Sequence, residues 1–111
     1  MYVRQYFVYI LCNYYKTILY LGCTNDIVSR LAEHHVAYEN SKAFTHRYNC
    51  TKLLYFEVYL ERDIAYKREN QIKRYRREKK EALIATQNPD WNFRNEEVKN
   101  QYCANPDRRQ F

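Results

Sequence analysis

Two residues four positions apart pair a phosphate-binding group with a proton-transferring group. A helix places Arg30 and His34 on one edge, because residues at i and i+4 are neighbours on its surface. A guanidinium binds phosphate oxygens through paired N–H donors, and an imidazole changes its charge near neutral pH. His34 also lies on an apolar helical stripe, so core packing is its alternative role, and His35 is an alternative functional histidine. The pair indicates chemistry on a phosphate group.

A carboxylate and two tyrosines are the other candidates for chemistry. Glu69 lies on the apolar stripe of a basic helix, and a carboxylate that points into a core needs a partner or a metal ion. Its alternative is a surface ion pair with Lys73 at i+4, worth about 0.5 kcal/mol. Tyr9 and Tyr20 are predicted on adjacent strands, although ordinary packing is the alternative for any one of 13 tyrosines.

Three strands are predicted to position these side chains. Residues 6–12 and 18–23 alternate between two faces, and the five residues between them are few enough for a hairpin. A polar connection over residues 39–51 leads to the third strand, residues 53–60, which is rich in Tyr and Leu.

The remaining elements are predicted to be helical. A first helix covers about residues 26–38. Its candidate N-cap residues are Thr24, Asn25 and Asp26. A basic helix begins near Asp63, which can cap it, and runs to about Lys80. Residues 81–87 continue it or form a further short helix that ends at Asn88, because the residue before a proline resists the helical conformation.

These elements predict one α+β domain. Their order is β-β-α-β-α(-α), with a small, three-stranded, mostly antiparallel sheet flanked by helices. A chain of 111 residues is long enough for one core and too short for two independent domains. We expect the domain to span residues 1–94 and the aliphatic-poor residues 95–111 to form a flexible tail.

The net charge of +6 is concentrated in one segment. Residues 62–80 contain nine Lys or Arg and three Asp or Glu, so the rest of the chain is neutral overall. A basic stripe interleaved with tyrosines is typical of a nucleic-acid-binding face. A solvated helix, a membrane surface or an acidic partner protein are the alternatives. The predicted nucleic-acid-binding residues are Arg68, Lys73, Arg74, Arg76, Arg77, Lys79 and Lys80.

Apolar runs and cysteines bear on the compartment. The longest apolar run, residues 7–12, is far shorter than the roughly 18 residues of a membrane-spanning helix, and no signal-peptide cleavage site follows it. The four cysteines form no C-x-x-C pair, which indicates buried thiols in a reducing compartment. We therefore expect a cytoplasmic protein without a membrane partner.

Several spaced motifs resemble those of the GIY-YIG endonuclease family. The two half-motifs are Phe7-Val8-Tyr9 and Tyr20-Leu21-Gly22, with Phe7 and Leu21 departing from the family's glycine and isoleucine. Further similar segments are residues 25–34, 44–49, 53–57, 68–73 and 88–91. The resemblance covers about residues 6–94 and is strongest to the small stand-alone bacterial branch, related to the N-terminal nuclease domain of the excision-repair endonuclease subunit.

The resemblance implies roles for individual residues. The implied catalytic residues are Tyr9, Tyr20, Arg30, His34 and Glu69. Among them, Arg30 binds the phosphate and Glu69 is the protein ligand of a single Mg²⁺ or Mn²⁺ ion. Gly22 is implied at the close turn after the second strand, and Asn88 is a late polar residue near the site. No organic cofactor is implied.

The implied function is a Mg²⁺-dependent endonuclease that hydrolyses phosphodiester bonds in DNA. The chain has no room for a separate sequence-reading module, so cutting is expected to be structure-directed or weakly sequence-specific, in DNA repair or recombination. Two alternatives stay open. One is a nucleic-acid-binding module with a vestigial nuclease site, and the other is an adaptor whose basic helix binds an acidic protein.

Overall fold

A three-stranded sheet with helices on both faces forms the domain. The computed structural model describes residues 4–40 and 50–102, and within them the side chains of all residues except 34–40. The strands are β1 (Tyr6–Cys12), β2 (Leu19–Thr24) and β3 (Lys52–Tyr59). The helices are α1 (Ile27–Asn40), α2 (Arg62–Lys73), α3 (Arg77–Gln87) and α4 (Asn95–Gln101). The predicted α+β class and element order are confirmed, with one additional helix.

Strand β1 is the centre of the sheet. The strand order is β2-β1-β3, and both pairings are antiparallel. Every residue of β1 is buried, because helices cover the sheet on both sides. A strand enclosed in this way is apolar on both faces, which explains the nearly continuous apolar run in the sequence.

The two faces of β1 serve different helices. Phe7, Tyr9 and Leu11 point to one face, where Ile27 and Leu31 of α1 complete a buried cluster. The intervening residues of β1 point to the opposite face, toward α2 and α3. Successive side chains of a strand alternate between faces, so this one strand positions groups for two helix layers.

Helix α1 begins where its cap residues predict. The backbone N–H of Ser29 donates to Oδ1 of Asp26 at 3.0 Å, which satisfies one of the donors that a helix N-terminus leaves open. Oγ1 of Thr24 in turn accepts a hydrogen bond from the N–H of Asp26 at 3.0 Å. The capping role predicted for Asp26 is confirmed.

The predicted single basic helix is two helices. Helix α2 ends at Lys73, and α3 begins at Arg77 after extended backbone at Arg76. One unbroken helix over the 26 residues from 62 to 87 would be about 39 Å long, whereas the seven-residue β1 spans about 23 Å. The break lets Ile84 return to the sheet and become buried there.

The predicted cap of this helix is also wrong. Helix α2 starts at Arg62 after Glu61, and no side chain caps it. Asp63 lies inside the first turn instead, where its negative charge interacts favourably with the helix dipole.

Residues 95–102 belong to the packed domain and are not a tail. Helix α4 buries Val98 in the cluster beneath α1, and the side chain of Asn95 bonds the backbone of Leu53 and Thr51. The remainder of the predicted tail, 103–111, lies outside the described residues. Helix α4 has one aliphatic residue, so tertiary contacts rather than sequence periodicity maintain it.

The helices and the cysteines bear on the predicted compartment. No helix within the described ranges is long and apolar enough to cross a membrane. Cys12, Cys23 and Cys50 are buried free thiols, as predicted, whereas Cys103 lies outside the described residues.

Candidate active site

Tyr9 and Gly22 face each other across β1 and β2. They are paired in register, and the tyrosine is completely buried with its ring over the glycine. A Cβ added to Gly22 would lie 2.4 Å from both Cζ and Oη of Tyr9, closer than van der Waals contact permits. The only glycine of the chain is therefore needed for space, since its backbone is not in the left-handed region.

Arg30 reaches Tyr9 from helix α1. Its guanidinium is hydrogen-bonded to the Tyr9 hydroxyl and donates to the carbonyl oxygen of Cys23 at 3.5 Å. Nε of Arg30 also pairs with Glu33 at 3.3 Å. The Arg30 side chain is 28% exposed, so a substrate phosphate can still reach it. This contact unites two of the predicted catalytic residues.

The hydroxyl of Tyr9 is held in its neutral form. Burial raises the pKa of Tyr9 well above its usual value of 10, and the nearby Arg30 charge opposes that rise without cancelling it. For Arg30, burial alone would lower the pKa, but its interactions with Tyr9 and Glu33 raise it. At neutral pH the site therefore pairs a phenol with a guanidinium cation.

Glu69 lies on the other face of the sheet from Tyr9, because it belongs to α2 rather than α1. Its carboxylate is buried beside Ala65 and Ile72 on the inner side of α2, as its position on the apolar stripe predicts. It also pairs with Nζ of Lys73 at 3.1 Å, so both interpretations of Glu69 hold together. The carboxylate is inside, and its partner is the more exposed Lys73.

Cys23 connects the two halves of the site. Burial raises the pKa of its thiol to about 12, with a further rise from the Glu69 carboxylate and an opposing effect of Arg30. Both charged groups therefore lie within interaction range of Cys23. Because β2 is an edge strand, Arg30 from α1 and Glu69 from α2 both lie near Cys23 at that edge of the sheet. No sequence signal distinguished Cys23 from the other cysteines.

Tyr20 and His34 complete the predicted catalytic set. Tyr20 is half-buried on the face of Tyr9, and its electrostatic interactions reach both Tyr9 and Arg30. His34 lies on α1, but its side chain is outside the described residues. The structure therefore brings Tyr9, Tyr20 and Arg30 together.

The fit of a divalent cation depends on Glu69. No group of three or more His, Cys, Asp or Glu in the described part of the chain is placed to hold a metal ion. A single carboxylate is nevertheless a suitable donor for Mg²⁺, which keeps most of its waters and uses phosphate oxygens as further ligands. The ammonium group at Glu69 shows that this position favours positive charge. The residues present fit one hydrated cation.

Asn88 has a structural role. Its Nδ2 donates to the carbonyl oxygens of Leu54 at 2.9 Å and Asn92 at 2.8 Å, and its Oδ1 accepts from the N–H of Asn92. The buried amide thereby joins β3 to the turn after α3.

Arg68 is occupied by an internal contact. Its Nε and Nη2 each donate to the Glu57 carboxylate at 2.9 Å, and the hydroxyls of Tyr55 and Tyr59 donate to the same group. Burial alone would raise the pKa of Glu57, but these hydrogen bonds lower it. The sequence signal that could have found these contacts is Glu57, the one carboxylate in a largely apolar strand. The Nε and Nη2 donors of Arg68 are therefore occupied by Glu57.

Arg77 is a second cation with a structural contact. Its Nη1 donates to the carbonyl oxygen of Thr17 at 2.9 Å, and its Nε donates to Glu81 at 2.8 Å. It therefore attaches helix α3 to the hairpin between β1 and β2.

The exposed residues among the other five predicted nucleic-acid-binding cations are Lys73, Arg74, Arg76 and Lys79. Lys73 pairs with Glu69, and Nζ of Lys79 lies 4.2 Å from the ring centroid of Tyr75. Arg74 and Arg76 are exposed in the break between α2 and α3, and Lys80 is half-buried.

Comparisons with known proteins agree with this geometry. Residues 5–82 match the model of the GIY-YIG catalytic domain. A UPF0213 protein of Haloquadratum walsbyi is 40% identical over 65 residues, which are 59% of this chain and 71% of that protein.

A solved structure gives the same fold. The solution NMR structure of a UPF0213 protein from Bacillus halodurans covers 78% of this chain and 89% of its own, with a TM-score of 0.51 and 22% identity. The predicted resemblance is confirmed by the family match, which covers most of the chain. This chain belongs to the GIY-YIG family and is similar to UPF0213 proteins.

Proposed function

We propose that this protein is a Mg²⁺-dependent endonuclease that hydrolyses phosphodiester bonds in DNA. Its GIY-YIG domain indicates a nuclease-type activity. The observation that supports an intact site is the hydrogen bond between Tyr9 and Arg30, together with Glu69 at the same edge of the sheet. Buried free thiols are consistent with the reducing cytoplasm, where the reaction would serve DNA repair or recombination.

Arg30 is the phosphate-binding residue in this proposal. Hydrolysis increases the negative charge on the nonbridging oxygens, and a positioned guanidinium stabilises it. Arg30 has five N–H donors, and its contacts with Tyr9, the Cys23 carbonyl and Glu33 leave further donors for the phosphate. Its partial exposure leaves those donors within reach of the substrate.

Tyr9 relays a proton in this proposal. Because burial raises its pKa, a stable phenolate is not the resting base at neutral pH. Tyr9 Oη instead accepts the proton of the attacking water as it passes its own proton to His34, either directly or through the Tyr20 hydroxyl, which releases its own proton in the same step. The water oxygen forms the new bond to phosphorus as the bond to the 3′ oxygen breaks.

Glu69 is the ligand for the metal ion. When bound there, Mg²⁺ would supply positive charge at the departing 3′ oxygen. The cation would have to displace Nζ of Lys73, which lies 3.1 Å from Oε2 of Glu69. Weak binding in the absence of DNA is expected, since the protein offers a single carboxylate.

The exposed cations provide the contact with the DNA backbone. Arg74 and Arg76 lie between α2 and α3, beside Lys73 and Lys79. Such contacts neutralise phosphates and carry no sequence information. Cutting is therefore directed by DNA structure or only weakly by sequence.

A cleavage panel tests this proposal. Supercoiled, duplex, branched and single-stranded DNA are incubated with Mg²⁺ or Mn²⁺, beside the variants Glu69→Gln and Arg30→Met. We expect metal-dependent cleavage by the parent and a loss of about 100-fold or more in each variant, with unchanged circular dichroism. Glu78→Gln, which removes an exposed carboxylate of α3, should cleave normally. Cleavage that survives in both site variants would remove these residues from the mechanism.

A nucleic-acid-binding module with an inactive site is the second candidate. The ion pair between Glu69 and Lys73 favours it, because Lys73 competes with a metal ion for the carboxylate. Its signature is salt-dependent DNA binding without cleavage across all substrates and metals. Neutral substitutions of the exposed cations would then flatten the salt dependence of binding.

A further inference from the structure

Three aromatic side chains form an exposed cluster at the tip of the β1–β2 hairpin. Tyr14 and Tyr15 are 66% and 79% exposed, and Phe93, from the turn before α4, is 38% exposed. The rings of Tyr14 and Tyr15 meet edge to face at 5.4 Å, and Tyr14 lies 6.1 Å from Phe93. We call these three residues the hairpin aromatic cluster. Their exposure places them outside the core, so core packing does not explain them.

The hairpin that carries Tyr14 and Tyr15 is tightly bonded. Oδ1 of Asn13 accepts hydrogen bonds from the N–H groups of Thr17 at 2.8 Å and Ile18 at 3.0 Å. Arg77 holds the loop from α3 through the carbonyl oxygen of Thr17. A fixed loop loses little conformational freedom when a ligand stacks on it, which favours binding.

Strained backbone occurs in both turns that build the cluster. Within the described residues, Lys16 and Trp91 are the non-glycine residues with positive φ, at 62° and 55°. Lys16 lies in the hairpin, and Trp91 lies two residues before Phe93. A non-glycine residue in the left-handed region is strained and persists where surrounding contacts enforce it, often at functional sites.

Two lysines add positive charge to the cluster. Nζ of Lys16 and Nζ of Lys52 lie 5.3 and 5.6 Å from the ring centroid of Phe93. Aromatic faces beside cations are the surface that single-stranded nucleic acid requires, because bases stack on the rings and phosphates contact the cations.

The cluster lies near the candidate active site. The pair of Tyr9 and Gly22 is three residues from the last hairpin pair, Cys12 and Leu19, which is about 10 Å along the strands. Phe93 also lines a cavity of about 490 Å³ together with residues of α1, so it lies on the side of the sheet that carries Arg30. Tyr14 and Tyr15 follow Cys12 by two and three residues, so a few unpaired nucleotides can span the distance from the candidate active site to the cluster.

We propose that the hairpin aromatic cluster binds unpaired bases of a single-stranded DNA segment next to the scissile phosphate. The inference rests on the proposed nuclease function and sharpens its substrate to DNA with a single-stranded region, such as a flap, gap or branch. Tyr14 and Tyr15 stack on bases, and Lys16 and Lys52 contact the flanking phosphates.

Binding measured without metal tests this proposal independently of cleavage. Fluorescence anisotropy in EDTA follows the parent with labelled single-stranded DNA of about 20 nucleotides, a blunt duplex of the same sequence and the equivalent RNA strand. The double variant Tyr14→Ala/Tyr15→Ala should bind the single strand about 5- to 100-fold more weakly and the duplex within about twofold of the parent. Tyr14→Trp/Tyr15→Trp should retain binding.

The salt dependence separates stacking from charge. The tyrosine variants should keep the parent's slope of log K against log salt, whereas Lys16→Gln should reduce it by about 0.7 on a single strand. Leu60→Ala should bind normally. It truncates an exposed side chain just after β3, at the end of the strand away from Lys52 and the hairpin.

Several outcomes would overturn the proposal. Unchanged single-strand binding by the folded double alanine variant would do so, and so would an equal loss on the duplex. Tighter binding of RNA than of DNA would overturn the assignment to DNA. Single-strand binding that depends on Tyr14 and Tyr15, without cleavage of any substrate, would uphold this inference and contradict the proposed function.

Discussion

At the scale of single residues, the candidate site depends on how closely Tyr9 approaches its neighbours. Its ring occupies the space above Gly22, and its hydroxyl meets the Arg30 guanidinium. Burial keeps that hydroxyl protonated, so its orientation is set by Arg30 rather than by solvent. The single glycine and the buried tyrosine therefore act as one unit.

Gly22→Ala should lower the free energy of unfolding by about 1–3 kcal/mol, because the new methyl group overlaps the buried Tyr9 ring. Urea denaturation measures this change. In a Tyr9→Ala background the ring is absent, so the same substitution should cost much less. Equal costs in the two backgrounds would show that the contact with Tyr9 is not the reason for the glycine.

At the scale of elements, the break between α2 and α3 separates arginines that are bonded to the protein from arginines that are exposed to solvent. Arg68 and Arg77 bond to protein groups, whereas Arg74 and Arg76 are exposed at the break. In a continuous helix, the 3.6-residue period alone would decide which of these side chains face the sheet and which face the solvent. The end of α2 at Lys73 therefore decides which cations can meet a ligand.

Two sets of substitutions should separate structural from DNA-binding cations. Arg68→Met should lower the free energy of unfolding by about 1–3 kcal/mol, because the mostly buried Glu57 carboxylate loses a two-point partner. Arg74→Gln/Arg76→Gln should change stability by less than about 0.5 kcal/mol and weaken DNA binding, with a duplex salt slope shallower by up to about 0.9 per contact.

Denaturation and anisotropy at several salt concentrations provide both readouts. The reverse pattern, a stable Arg68→Met with a flattened salt slope, would return Arg68 to the binding surface.

At the scale of the whole molecule, buried protonated groups couple stability to pH. Burial raises the pKa of Cys12 and Cys23 to about 12, with smaller contributions from neighbouring charges, and that of Cys50 to about 11. In the unfolded chain these thiols lose their protons near pH 8.5–9. Between these limits the folded state binds more protons than the unfolded state, so stability falls as pH rises.

The free energy of unfolding should therefore be constant from pH 7 to about 8 and decrease between about pH 9 and 11. Each thiol contributes a slope of up to about 1.4 kcal/mol per pH unit. Urea denaturation under reducing conditions measures the profile. Cys50→Ala should reduce its slope by the contribution of one proton, up to about 1.4 kcal/mol per pH unit. A profile that stays flat to pH 11 in the parent would contradict the role of these thiols.

The amino-acid sequence by itself determined the family, the order of the three strands and the helix between the second and third of them, and it indicated an inward position as one of two interpretations of Glu69. These features depend on local periodicity, cap chemistry and the spacing of motifs, which are visible along the chain. Glu69 is an example, because its place on an apolar helical stripe indicated burial, while the structure shows that it is buried and also paired with Lys73.

Only the tertiary structure decided which residues are engaged and which are available. The helix breaks after Lys73 because an unbroken helix would be longer than the sheet it packs on. Helix α4 forms because Val98 is buried in the cluster on the α1 face of the sheet. Phe93 joins Tyr14 across the fold, and Arg77 meets Thr17 from a distant helix. Such contacts join residues far apart in sequence and gain their strength from shared burial, which no local pattern records.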